Sequence, residues 1–218
     1  LGIFGCRGHP TVLHGPGDVR YEQVEDPKIL KPTDAIIKLS ATCICGSDLW
    51  PYRGLSPRGG PAHMGHEYCG VVVEVGQEVR AIRPGQFVVG SFCLSDNTCP
   101  HCQFGFQSSC RQREFMTGAQ APYARVPLAD GTLVATAEMP DAEMIRHMLA
   151  ASDVLGTGWY GAVAANVREG GTVVVVGEGQ FEGELVARVV AGDAHRLAVV
   201  QDLGGLGARV QGAGERGE

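Results

Sequence analysis

Residues 65–79 read Gly-His-Glu-Tyr-Cys-Gly-Val-Val-Val-Glu-Val-Gly-Gln-Glu-Val, and the reading of the whole chain turns on them. The middle, Tyr68–Val75, is rich in β-branched and aromatic residues and is closed by Gly76, the composition of a strand that ends in a turn. At its head stand an imidazole, His66, and a carboxylate, Glu67, where a loop enters the strand. Upstream, Cys45-Gly46-Ser47-Asp48 offers a thiol in a similar setting. A lone cysteine or histidine more often packs than ligates. Held by one rigid scaffold, the two could face a common metal ion.

Working outward, β-rich runs punctuated by Gly, Pro and Asp occur at Thr11–His14, Val19–Val24, Ala35–Thr42, Gln86–Phe92 and Tyr123–Val126. They predict a largely antiparallel β-barrel or sandwich with long loops. After Pro140 the pattern changes. Ala142–Ala151 places Met144, Ile145, Met148 and Leu149 on one helical face, and Thr157–Val167 reads as a second helix. Thr172–Gly177 is a continuously apolar strand of the kind buried in a parallel sheet. Leu185–Val190 and Leu197–Val200 would supply the following helix and strand, one βαβ unit. From Gly204 to Glu218 six of fifteen residues are glycine, so that tail is expected to be disordered. The expectation is a mixed α/β chain: a β domain over 11–150, the start of an incomplete Rossmann-type nucleotide-binding domain over 151–203, and a tail over 204–218.

Composition excludes several function classes. A formal net charge of −6 without a Lys/Arg run argues against nucleic-acid and anionic-membrane partners. No apolar run is long enough to span a bilayer and no secretory signal is visible, so a cytoplasmic location is expected. Of eight cysteines, three crowd into Cys99-x2-Cys102-x7-Cys110. Without an oxidising compartment this reads as metal binding by reduced thiols rather than as disulfides.

The segment Gly65-His66-Glu67-Tyr68-Cys69-Gly70, five residues to Gly76 and two more to Val79, matches the zinc-site pattern of zinc-containing alcohol dehydrogenases. Cys45-Gly46-Ser47-Asp48 resembles that family's first-ligand motif. Over about Thr11–Gly179 the chain resembles the zinc-dependent medium-chain dehydrogenases, nearest the formaldehyde- and threonine-dehydrogenase-like branch. The resemblance implies a GroES-like catalytic domain and a catalytic zinc on Cys45, His66 and Asp153, the last being the branch's aspartate before a Thr-Gly turn. By itself Asp153 would read as a helix cap. Ser47 matches the hydroxyl that starts the family's proton relay, Glu67 a carboxylate that can approach the metal, and Asp48 a group orienting the histidine ligand. Many relatives carry a relay histidine where this chain has Trp50, so the proton needs another exit.

The same resemblance implies a second, structural zinc on Cys99, Cys102 and Cys110, with four ligands spaced x2, x2, x7. Counting back from Cys99 gives Asp96 as the fourth, with Cys93 and His101 as substitutes. Gly177 and Gly179 follow the apolar strand as in a dinucleotide-binding turn, and Asp202 is a candidate ribose ligand. Glu182 occupies the third glycine position, and the resemblance fades after Gly179, as in a chain truncated within its cofactor domain. The implied activity is hydride transfer between a small-molecule alcohol or aldehyde and NAD or NADP, with homo-oligomerisation as in relatives. The alternative is a zinc-binding remnant without catalysis.

Overall fold

The computed structural model describes residues 9–56, 59–169, 171, 173, 198–200 and 210–212. The chain divides into two compact units, Leu1–Thr157 and Gly158–Glu218.

The first unit opens with a hairpin of β1 (Thr11–Gly15) and β2 (Asp18–Tyr21), followed by β3 (Ala35–Thr42), helix α1 (Gly46–Tyr52), β4 (Ala62–His63) and β5 (Tyr68–Val75). Then come β6 (Phe87–Gly90), β7 (Cys93–Leu94), the short helix α2 (Pro100–Gln103), β8 (Glu114–Phe115) and β9 (Tyr123–Val126). The short helix α3 (Ala129–Thr132), β10 (Leu133–Ala135), α4 (Ala142–Leu149) and α5 (Val154–Ala164) complete the series, and α5 runs on past Thr157. The main sheet has the order β10-β6-β5-β3-β9, a smaller one the order β2-β1-β4, and β7 pairs with β8. Every pairing described in this unit is antiparallel, as the sequence predicts.

β3 and β5 lie at the centre of this sheet and bury consecutive residues, Ala35–Ile37 and Tyr68–Gly70, so both sheet faces are covered there. Tyr68, Val72, Val88 and Ile37 form the middle of the core. Gly90 makes room for it: a Cβ there would lie 2.2 Å from the Tyr68 ring. The loop before β3 is held by Asp34, fully buried, which accepts from the backbone N–H groups of Leu30 and Lys31 and from Arg125 of β9 at 2.9 Å.

Three expected strands, Ala35–Thr42, Tyr68–Val75 and Tyr123–Val126, have the predicted bounds. The strand expected over Gln86–Phe92 is only Phe87–Gly90, because the chain then turns away and Phe92 N–H donates to Ser152 O at 3.3 Å. Strands β4, β7, β8 and β10 are too short for any hydrophobic period to reveal. Helix α4 is capped by Asp141, whose carboxylate accepts from Met144 N–H at 2.8 Å. Ile145, Met148 and Leu149 are half-buried, while Met144, expected on the same face, is exposed. Helix α5 begins earlier than expected, since Thr157 N–H already donates to Asp153 O at 3.1 Å.

In the second unit, β11 (Ala198–Val200) pairs antiparallel with β12 (Val210–Gly212). β12 falls inside the stretch expected to be disordered, and the partner strand that a βαβ unit would set beside β11 is not among the described residues. The strand expected near Thr172–Gly177, apart from Val173, and the helix expected at Leu185–Val190 lie outside the described residues. No helix among the described residues is long and apolar enough to cross a membrane.

Candidate metal centres

Two groups of donor atoms converge, each within 4.8 Å: Cys45, His66, Glu67 and Asp153, and Asp96, Cys99, Cys102 and Cys110.

In the first group Cys45 stands at the N-cap of α1, in extended conformation. Its N–H donates to Asp48 Oδ2 at 3.0 Å, while Asp48 Oδ1 lies 3.4 Å from His66 Nδ1. One buried carboxylate therefore ties the helix start to the imidazole and leaves Nε2 turned to the other donors. His66 enters from a loop clamped by backbone bonds from Ala119 to Gly65 O and from Gln120 to Met64 O, both 3.0 Å. Gly65 has φ +90°, and a Cβ on it would fall 2.6 Å from the Gln120 backbone nitrogen, so the clamp accepts only glycine. Thr42 Oγ1 donates to Glu67 O at 2.9 Å, fixing the next residue. Asp153 lies at the entry of α5, where its Oδ1 accepts from Thr157 Oγ1 at 3.2 Å and its Oδ2 sits 3.3 Å from His66 Nε2. It is at once the helix-entry aspartate and a donor in the group.

These residues fit a zinc ion. A tetrahedral centre with bonds of about 2.0–2.1 Å spaces its nitrogen and oxygen ligands by about 3.3 Å, the His66–Asp153 separation found. Several acidic groups crowd one imidazole, so a positive charge is favoured at this point. The Asp48 carboxylate, against the effect of burial and with help from Cys45, pushes His66 up to about 9. Burial, and then the charge of Asp153, raises Glu67 above its ordinary value. Ser47 is exposed on α1 and belongs to neither donor group.

In the second group Cys99 Sγ lies 3.6 Å from Cys102 Sγ and 3.9 Å from Cys110 Sγ. A tetrahedral zinc with Zn–S bonds of about 2.3 Å would space its sulfurs by about 3.8 Å, whereas a disulfide needs about 2.05 Å. Backbone N–H groups aim at the sulfurs: Asp96 and Gln112 toward Cys110 at 3.4 and 3.3 Å, and Arg111 toward Cys99 at 3.5 Å. The Arg111 and Cys102 N–H groups draw the Cys99 thiol down to about 7, while burial pushes Cys102 up to about 12. Asp96 Oδ1 accepts from Thr98 and Cys99 N–H at 2.9 and 3.0 Å. Against burial, these bonds hold its carboxyl below the usual range. The fourth place in this group goes to Asp96; Cys93 and His101 stand outside it.

Sequence reasoning missed Phe92, whose ring meets His66 edge-on with centroids 6.1 Å apart and stacks on Phe115 at 6.4 Å. That contact crosses from one loop to another and leaves no local signal. It also missed Thr157, although a hydroxyl four residues after an aspartate at a helix start is visible in the sequence. Gly177, Gly179 and Asp202 lie outside the described residues. A cleft of about 480 Å³ lined by Val24, Lys28, Tyr123 and Arg125 includes none of the eight donors.

Residues 31–141 match the alcohol dehydrogenase GroES-like domain. The chain is 38% identical over 157 residues to zinc-type alcohol dehydrogenase B of Aspergillus flavus, covering 70% of this chain and 36% of that protein. It is 32% identical over 198 residues to glutathione-independent formaldehyde dehydrogenase of Pseudomonas aeruginosa, covering 81% and 49%. Among solved structures, alcohol dehydrogenase TADH from Thermus sp. ATN1 superposes with a TM-score of 0.69 at 29% identity, over 74% of this chain and 49% of that one. The chain thus spans about a third to a half of the length of these relatives.

Proposed function

The chain belongs to the zinc-type alcohol dehydrogenase family through its GroES-like domain, and on that premise we propose that it is an oxidoreductase moving hydride between a small-molecule alcohol or aldehyde and NAD or NADP. The observation that carries this reading is the convergence of Cys45, His66, Glu67 and Asp153 within 4.8 Å. In this proposal residues 11–150 form the catalytic domain and 151–203 begin the nucleotide-binding part, with Gly177 and Gly179 toward the pyrophosphate and Asp202 toward a ribose. Residues 204–218 form a tail. Donor groups built on thiols suit the cytoplasm, where thiols stay reduced, and homo-oligomerisation belongs to the same reading.

Cys45, His66 and Asp153 would hold the catalytic ion, and Asp96, Cys99, Cys102 and Cys110 a structural one. Bound at the first group, zinc supplies Lewis acidity that lowers the pKa of an alcohol hydroxyl. The protein's own side chains do the rest. Asp48 fixes the ring plane and tautomer of His66 by engaging Nδ1. Glu67, buried beside the other donors, is the carboxylate that can approach the ion in addition to the three ligands. Phe92 closes one side of the imidazole against water. Ser47, exposed and two residues from Cys45, would accept the substrate hydroxyl proton while giving up its own to water, so that one proton reaches solvent. Trp50 cannot continue such a relay, because its indole N–H donates and does not accept.

Metal analysis of the purified chain tests the assignment. Close to two zinc ions per chain are expected, falling to close to one in Cys45→Ala. An unchanged zinc content in that variant would remove the first group from the proposal.

A further inference from the structure

We propose that the two donor groups sort divalent metal ions, the first admitting harder ions of the Mn²⁺ kind and the second confined to thiophilic ones, with Asp153 as the selecting residue. The inference rests on the metal assignment above. The first group brings one thiol, one imidazole and two carboxylates within 4.8 Å of one another, the second three thiols and one carboxylate. Thiolate is a soft donor that favours zinc, whereas carboxylate oxygen suits harder ions such as Mn²⁺. Cys43 and Cys69, close in sequence to Cys45 and His66, stay outside the first group, so among the described residues it holds a single sulfur.

Geometry separates the two groups in the same sense. In the second, the sulfurs stand 3.6 and 3.9 Å apart, close to the spacing of about 3.8 Å in a closed tetrahedral zinc site. Cys102 and Cys110 are buried there. The Asp96 carboxylate is engaged on both oxygens, Oδ1 by Thr98 and Cys99 N–H and Oδ2 by Gln112 Nε2 at 3.0 Å. Such a cage adds no further oxygen for an ion that prefers six ligands. In the first group Asp153 Oδ2 lies 3.3 Å from His66 Nε2, its Oδ1 is held by the Thr157 hydroxyl at 3.2 Å, and Glu67 is buried among the same donors. A carboxylate binds a metal through one oxygen or two, so the ligand count at this group can rise above four. A cysteine in place of Asp153 would double the sulfur and remove the oxygen beside the imidazole. Zinc stays ahead of Mn²⁺ at either group by the general order of affinities, and the donors set the margin.

The test is equilibrium dialysis of the full, zinc-loaded chain at fixed free Zn²⁺ against rising Mn²⁺. Zinc is counted by elemental analysis and bound Mn²⁺ by its electron paramagnetic resonance signal, so no turnover is needed. One zinc per chain is expected to exchange and the other to stay. Asp153→Cys should raise the Mn²⁺-to-Zn²⁺ ratio at half exchange roughly tenfold or more, while Asp153→Glu, which keeps a carboxylate, leaves it within about threefold. The zinc of the second group, retained in both variants, reports that the chain is still folded. In Cys102→Ser that zinc is expected to be lost and the Mn²⁺ kept. Exchange of both zinc ions at one ratio, exchange of neither, or an unchanged ratio in Asp153→Cys would overturn the sorting. A starting zinc content near one per chain, unaltered by Cys45→Ala, would instead overturn the metal assignment, and this inference with it.

Discussion

Asp48 does its work with both carboxylate oxygens, one on the Cys45 N–H at 3.0 Å and one 3.4 Å from His66 Nδ1. It links two donors from different parts of the chain without itself joining the group. Outer partners of this kind set the orientation and basicity of a ligand imidazole. Asp48→Ala is therefore expected to lower zinc affinity at the first group by about 10- to 100-fold, read by competition with a chelator. The second group should keep its ion in the same experiment. Loss of both ions together would show that Asp48 serves the fold rather than the ligand. The relation of Asp48 to His66 was legible as a family pattern, but the double attachment was not. It depends on the φ and ψ of Cys45, which no residue type announces.

At the scale of elements, the second donor group organises the segment from Cys93 to Phe115. This stretch contains only a four-residue helix, one 3-10 turn and a two-residue strand pair. Elements so short contribute little stability by themselves. The N–H bonds to sulfur and to Asp96 stay useful only while the donors remain together. Cys102→Ser is expected to abolish one zinc per chain and open this segment to protease between Cys99 and Cys110, with the β5–β3 core still protected. Asp96→Ala should have the milder version of both effects, because three thiolates remain. Equal protease resistance in Cys102→Ser and the native chain would show that the segment does not need its ion. The spacing of the cysteines made this group readable from sequence. Counting back from Cys99 pointed to Asp96 in the sequence, and the fold brings its carboxylate, not the Cys93 thiol, into the same donor group as the three cysteines.

For the whole molecule, the decisive property is whether a chain spanning about half the length of its relatives binds a dinucleotide. Under the proposed function, titration of the zinc-loaded chain with NADH and NADPH, followed by calorimetry or nicotinamide fluorescence, should give saturable binding with one of them. A flat titration at millimolar cofactor would remove hydride transfer by this chain from the proposal while leaving its metal centres intact. The sequence by itself determined the antiparallel β architecture, the two sets of metal-ligating residue types and the place of the long central strands. Hydrophobic alternation, turn residues and ligand spacing are all written locally, so they survive in one dimension. Only the tertiary structure decided which donors meet. His66 and Asp153 are 87 residues apart yet 3.3 Å apart in space. What joins them is the clamp at Gly65, the departure of Phe92 from the sheet toward Ser152, and the start of α5 just after Asp153. Each of these is a long-range backbone bond or a packing limit, and such terms depend on the fold around a residue rather than on its neighbours in sequence.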